Sequence, residues 1–349
     1  MYSLSRFFGI KPPPKPDYDH IYTSPNYHVE TLGECNQGNY VKIYIPDNPY
    51  IGDSGNPQAV IYLHGFALGA SEIYSTHLEH LVKQGYYVIY PNYQRGFCAF
   101  SHCLAVTVLQ LAEEILSPFP ISPQTWINSA INSAIKAYQY INLFEKDVDT
   151  YLFGHSLGGL FALSWPNYAQ HQVPANMLPK QIIVADPVPD SESNIPAVIR
   201  DLTECLGGFK DKVAIETTGV DIKVPIAILH GNEDTVIPKC DWLQPFYHSI
   251  ATLHKTMYLS FSDQHGWEPL NANHEQATVN TSFVPDCVAQ RLLDGVGAEN
   301  DLNWRYIWYA LDQVIRCAKR ADELIFDLGN WSDGQPVKAI EVYLPAPKF

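Results

Sequence analysis

Five short apolar runs, each bounded by turn residues, limit what this chain can fold into. They are Ala59-Val60-Ile61-Tyr62-Leu63, Tyr86-Tyr87-Val88-Ile89-Tyr90, Gln181-Ile182-Ile183-Val184-Ala185, Pro225-Ile226-Ala227-Ile228-Leu229 and Thr256-Met257-Tyr258-Leu259-Ser260-Phe261. Runs with so little polar alternation belong to strands covered on both faces, the condition of a parallel sheet flanked by helices. Tyr40 to Ile45 alternates like a strand with one buried face, and Thr150 to Phe153 is a further short strand. Helical patterns fill the intervals. Ser71 to Gln84 carries Ile73, His77, Leu78, Leu81 and Val82 along one side and stops at Gly85; Ser122 to Phe144, Leu157 to Ala169, Cys240 to Leu253 and Leu302 to Leu324 follow. Strands alternating with helices pair in parallel through right-handed crossovers, so the expected class is α/β, a doubly wound and mostly parallel sheet with helices on both faces.

A chain of 349 residues, 46% hydrophobic, can bury such a core as a single domain over 1–349, with its core at about 28–325 and a tail at each end. Two stretches break the rhythm. Residues 94–121 include an apolar helical pattern from Leu104 to Leu116, and residues 187–224 are loop-like. Insertions after the carboxyl ends of strands overhang the site in α/β folds, so both are lid candidates; the alternative is a packed excursion that covers a sheet edge.

A net charge of −15 repels phosphate backbones and anionic headgroups, which argues against nucleic-acid partners. No apolar run approaches the roughly 20 residues that span a bilayer, leaving peripheral contact as the only membrane association expected. Met1 to Ile10 holds one Arg and a short apolar patch before Lys11-Pro12-Pro13-Pro14-Lys15-Pro16, too little for an export signal. Seven scattered cysteines, with no CxxC pair and no His at zinc-like spacing, suit reduced thiols in a cytoplasmic protein and no metal centre.

Gly154-His155-Ser156-Leu157-Gly158-Gly159 lies where a strand meets a helix. This G-x-S-x-G elbow uses its glycines to permit a crowded turn that holds the Ser156 hydroxyl above the sheet. A hydroxyl needs a base to take its proton, and the base needs an acid to orient it, in the chain order Ser, acid, His. Asp234 lies in the turn Gly231-Asn232-Glu233-Asp234-Thr235-Val236-Ile237-Pro238 after one apolar run, and His265 in Ser262-Asp263-Gln264-His265-Gly266 after the last. Asp186, which ends another strand, is the alternative acid, and Glu233 a third; Asp234 is favoured because Gly231 and Pro238 fix the direction of its turn. His274 lies further into the following loop than a first choice of base would. His64 and His155 are expected to shape the site, and His77 and His80 to be an ordinary helix-surface pair, with metal binding the alternative. The negative oxygen of an acyl intermediate calls for preformed N–H donors: the amide of Leu157 at its helix start, and that of Phe66 in His64-Gly65-Phe66, with Ala67 as the alternative.

These motifs together resemble the α/β-hydrolase superfamily from about Tyr40 to Gly266. Leu63-His64-Gly65-Phe66-Ala67-Leu68, Gly85-Tyr86-Tyr87-Val88 and Pro91 look like its chlorophyllase and polyester-hydrolase-like branch. Asp186-Pro187-Val188 is similar to the chlorophyllase segment whose aspartate is assigned as the triad acid, whereas Asn232 to Pro238 looks like the acid turn of dienelactone-hydrolase-like and cutinase-like enzymes. One position departs: plant chlorophyllases usually carry Arg after the nucleophile, where this chain has Leu157. The expected activity is serine-dependent carboxylic ester hydrolysis through Ser156, Asp234 and His265, without a cofactor. Phe66, Phe97, Phe100, Leu104 and Trp165 are the candidate walls for a hydrophobic ester. A peptidase or thioesterase on the same fold, or a non-catalytic binding protein, are the alternatives.

Overall fold

The computed structural model describes residues 9–95, 122–193, 210–279 and 297–345. Among them nine strands form one sheet: β1 Tyr27–Leu32, β2 Tyr40–Pro46, β3 Gln58–Leu63, β4 Tyr87–Asn92, β5 Asp149–His155, β6 Gln181–Ala185, β7 Ile226–Gly231, β8 Lys255–Ser260 and β9 Glu341–Tyr343. Their order across the sheet is β1-β2-β4-β3-β5-β6-β7-β8-β9. The six strands from β4 to β8 run parallel, while the pairings β1–β2, β2–β4 and β8–β9 at the two sides are antiparallel. The fold is therefore the mixed, mostly parallel α/β class that the apolar runs imply.

Alternate strand residues face opposite layers, and the layers are separate cores. Val60, Tyr62, Val88, Phe153, Ile183 and Leu229 pack against Leu78 and Leu81 of α1 (Ser75–Lys83) and Leu311 and Val314 of α6 (Tyr309–Ile315). Their neighbours Ile61, Leu63, Ile89, Leu152, Val184 and Ile228 pack against three other helices. These are α2 (Pro123–Tyr140), α3 (Leu157–Ala169) and α5 (Cys240–His248), through Ile131, Leu160 and Phe246. A short α4 (Ile215–Thr218) lies beside α3.

Several elements differ from the sequence expectation. The helix expected from Ser71 begins as a 3-10 turn, Ser71–Tyr74, before α1. The closing helix opens as a π-helix, Asn303–Trp308, and ends at Ile315; Ala318 beyond it takes a positive φ of 50°. β1, in the polar segment Tyr18 to Cys35, is an edge strand whose exposed residues hide the alternation that marks a strand in sequence. His77 and His80 are both buried, not a surface pair. Trp308 stacks on both rings, and Tyr18 and Tyr22 of the N-terminal arm meet His80 edge-on. His77 faces the Tyr62 hydroxyl, and His80 faces Asp312 and Tyr22.

Cys35 is disulfide-bonded, contrary to the expectation of reduced thiols; its partner lies outside the described residues, and Cys240 and Cys317 are free. Disulfides persist in oxidising surroundings, which removes the cysteine argument for a cytoplasmic location. No helix among the described residues is long and apolar enough to cross a membrane. Of the two lid candidates, 96–121 and 194–209 lie outside the described residues. The flanks of the second pack onto the core: Asp190 bridges Ala214, and Val213, Ile215 and Ile222 are fully buried.

Candidate active site

The elbow forms because three glycines allow backbone where a side chain would collide. A Cβ on Gly154 would sit 2.2 Å from the Gly158 carbonyl oxygen, one on Gly158 2.2 Å from that of Leu63, and one on Gly159 2.6 Å from Pro187 Cβ. With strand, turn and helix this close, Ser156 is forced to φ 54° and ψ −119°, a conformation that a residue with a side chain adopts only under constraint. Its amide donates to the Ala185 carbonyl, which locks the turn to the end of β6.

The imidazole that meets Ser156 is His274, not His265. Ser156 Oγ lies 2.8 Å from His274 Nε2, and His274 Nδ1 lies 2.8 Å from Asp234 Oδ2. All three residues are buried. Asp234 is held by its own turn, where its amide donates to the Gly231 carbonyl and its Oδ1 accepts from the Ile237 amide at 2.7 Å.

His265 is displaced because the chain leaves β8 on an outward excursion and returns before reaching the site. Asp263 and Leu270 pair across the base of that loop, and the Trp267 amide donates to the Ile10 carbonyl. Gly266 is wedged against Trp331 of the C-terminal tail. At the tip His265 Nε2 pairs with Asp333 at 2.8 Å. His274 comes after the return, in a 3-10 turn, His274–Ala277, capped by the Asn273 side chain accepting from the Glu275 amide. That Asn-His-Glu cap is the sequence signal that could have pointed to it, since a capped turn fixes the backbone of the histidine it opens.

Asp186, the alternative acid, is buried directly after β6 with φ 43°. Its oxygens accept from the Gly231 amide at 2.7 Å and from Gln276 Nε2 at 2.9 and 3.0 Å, and they make no bond to His274. Glu233 is exposed on the far side of its turn.

Charge divides the two buried aspartates. Burial pushes the Asp186 carboxyl well above the usual carboxylate range, and the negative charge of Asp234 pushes it further. Burial acts upward on Asp234 too, but the positive charge and hydrogen bond of His274 outweigh it and hold Asp234 low. Burial pulls the His274 imidazole down, but the charge and hydrogen bond of Asp234, with the charges of Glu275 and Asp186, together raise it to about 9.

The proposed N–H donors divide as well. The Ala67 amide, at φ 59°, donates to Gln94 Oε1 at 2.7 Å and is occupied. Among the described residues the Phe66 and Leu157 amides have no backbone acceptor outside regular structure, and Leu157 opens α3, whose dipole favours negative charge there.

Of the proposed walls, Phe66 is half-buried, its ring 5.9 Å from that of Trp126. Trp165 is fully buried, in the core cluster that α2, α3 and α5 form against one face of the sheet. Phe97, Phe100 and Leu104 lie outside the described residues.

Two buried groups bring three metal-ligand atoms within 4.8 Å, His155 with His274 and Glu275, and Asp186 with His230 and Asp234. Each shares a member of the Ser156–His274–Asp234 chain. Both His155 nitrogens already have partners, and the Asp186 oxygens face N–H hydrogens that would repel a cation. We assign neither to a metal.

Compared with known proteins, the chain matches no family model and no curated relative.

Proposed function

We propose that the protein is a serine-dependent carboxylic ester hydrolase built on the α/β-hydrolase plan. What carries this reading is the continuous chain from Ser156 Oγ through His274 to Asp234, with 2.8 Å at both links. A strained serine backbone supports it, because strain of this kind persists where the surrounding fold needs the side chain in one place.

In this reading neutral His274 accepts the Ser156 proton as the hydroxyl oxygen attacks the ester carbonyl. Asp234 holds Nδ1–H and stabilises the imidazolium that results. The tetrahedral oxyanion takes hydrogen bonds from the Phe66 and Leu157 amides. His274 returns the proton to the departing alkoxide, leaving an acyl group on Ser156. Water, deprotonated by the same imidazole, then releases the acid and restores the serine. The substrate is proposed to be a hydrophobic ester, on the sequence resemblance to the chlorophyllase and polyester-hydrolase-like branch and on the half-buried Phe66 beside the site.

The test is turnover of p-nitrophenyl esters. Ser156→Ala and His274→Ala should each lower kcat by roughly 10⁴-fold or more, while His265→Ala keeps it within a few-fold. Full activity in Ser156→Ala would end the reading. A panel of short acyl esters, triglycerides, peptides and chlorophyll then defines the class of acyl group.

A further inference from the structure

Two buried titratable side chains next to Ser156 have no part in the proton transfers above. His155 immediately precedes the nucleophile, and Tyr74 ends the 3-10 turn before α1; both are fully buried. They join three otherwise separate pieces of backbone. The Gly65 amide lies 3.1 Å from Tyr74 Oη, Tyr74 Oη 2.8 Å from His155 Nδ1, and His155 Nε2 2.8 Å from the carbonyl oxygen of His274.

Chemistry fixes the direction of every link. A carbonyl oxygen only accepts, so His155 Nε2 carries the hydrogen. Burial keeps the ring neutral, lowering its pKa to about 3, so Nδ1 is bare and accepts from the Tyr74 hydroxyl. The phenol oxygen then has a lone pair for the Gly65 N–H. No donor or acceptor along the path is left over, and at 81 and 119 residues of sequence separation the two contacts of His155 are tertiary. A Cβ on Gly65 would lie 3.2 Å from His155 Nδ1 and 2.9 Å from Leu68 Cδ1, so the loop runs close against the ring.

We propose that Tyr74 and His155 are positioning residues that tie the loop carrying the Phe66 amide to the main chain of His274. The donors for the oxyanion and the base for the serine would then keep one geometry on either side of Ser156. This inference rests on the ester-hydrolase reading. It adds that the two halves of the site are set together, through side chains that never touch substrate.

The loss expected from breaking such a link is one of alignment, which falls on kcat. Tyr74→Phe removes the hydroxyl alone. His155→Asn removes the donor to His274, whereas His155→Gln can restore a donor near the Nε2 position. Two readouts are compared: p-nitrophenyl acetate hydrolysis, and the rate at which a fluorophosphonate probe labels Ser156, which does not require the natural substrate. Tyr74→Phe and His155→Asn should lower kcat and labelling by about tenfold to a hundredfold with KM within about twofold. His155→Gln should recover part of the loss, and the double variant Tyr74→Phe/His155→Asn should be little worse than the poorer single one.

Wild-type labelling and turnover with unchanged rates in both single variants would overturn the relay and leave the hydrolase reading standing. So would equal losses in His155→Gln and His155→Asn that track the fall in Tm. A wild-type protein that neither labels nor turns over would instead overturn the hydrolase reading.

Discussion

Asp186 and Asp234 bring carboxylate oxygens within 4.8 Å of each other, and only Asp234 bonds to His274. Two carboxylates that close in a buried site repel, so the one facing the imidazole stays ionised and its neighbour is driven toward the neutral form. Asparagine is a neutral isostere of the second and a poor replacement for the first. Asp234→Asn should reduce kcat by roughly 10³- to 10⁴-fold. Asp186→Asn should keep it within about tenfold, since asparagine tolerates the positive φ at this position. Steady-state kinetics of the two variants decides between them; a larger loss in Asp186→Asn would reverse the assignment.

The base must be neutral to accept the serine proton, and His274 is held up to about 9. Hydrolysis should therefore rise with pH along a limb well above the ordinary imidazole value of about 6.5 and fall away as the solution is acidified. Glu275 is one of the charges that raise His274, so Glu275→Gln should move the limb toward lower pH. A kcat/KM profile with its limb near 6.5 in the wild type would contradict this electrostatic account.

Acid should unfold the protein through imidazoles that the fold keeps uncharged. Burial lowers His64 to about 4 and His155 to about 3. Both folded values lie below the unfolded one of about 6.5, so the unfolded chain binds more protons between them. Stability is therefore full above about pH 6.5 and declines as pH falls toward 4 and then 3. At pH 5 the loss is about 2 kcal/mol for each histidine, from 1.36 kcal/mol per unit. Denaturant titrations at pH 6.5 and 5, a window in which the opposite contribution of the raised His274 is already fully present, read this directly; equal stabilities would refute it.

Ser156 holds a positive φ, a backbone conformation that glycine adopts without strain. Ser156→Gly relieves a φ of 54° and should stabilise the fold by about 1 kcal/mol or more while removing hydrolysis. A thermal melt showing Ser156→Gly no more stable than Ser156→Ala would mean that the elbow is not strained.

The histidine beside Ser156 marks the limit of what residue pattern determines. Asp234 could be favoured over Asp186 from its turn residues alone, because a turn is a local structure with local signals. His265 and His274 share one loop, and both satisfy the chain order that the mechanism requires. What separates them is the path of residues 261–273, held by Ile10 from the beginning of the chain and Trp331 and Asp333 from its end. No periodicity or spacing around position 265 records those contacts. The same applies to His77, His80 and Trp165, whose surroundings come from the N-terminal arm, from Trp308 and from the sheet.

Residue pattern by itself determined the parallel strands, the helix that follows Ser156 and the elbow between them. Each is a short-range consequence of apolar runs, caps and glycines that leave the backbone one comfortable course. Tertiary structure alone decided which imidazole reaches Ser156 and which aromatic side chains are core. Those outcomes depend on where distant segments press against one another, and burial, which sets the protonation of each group, exists only once they have done so.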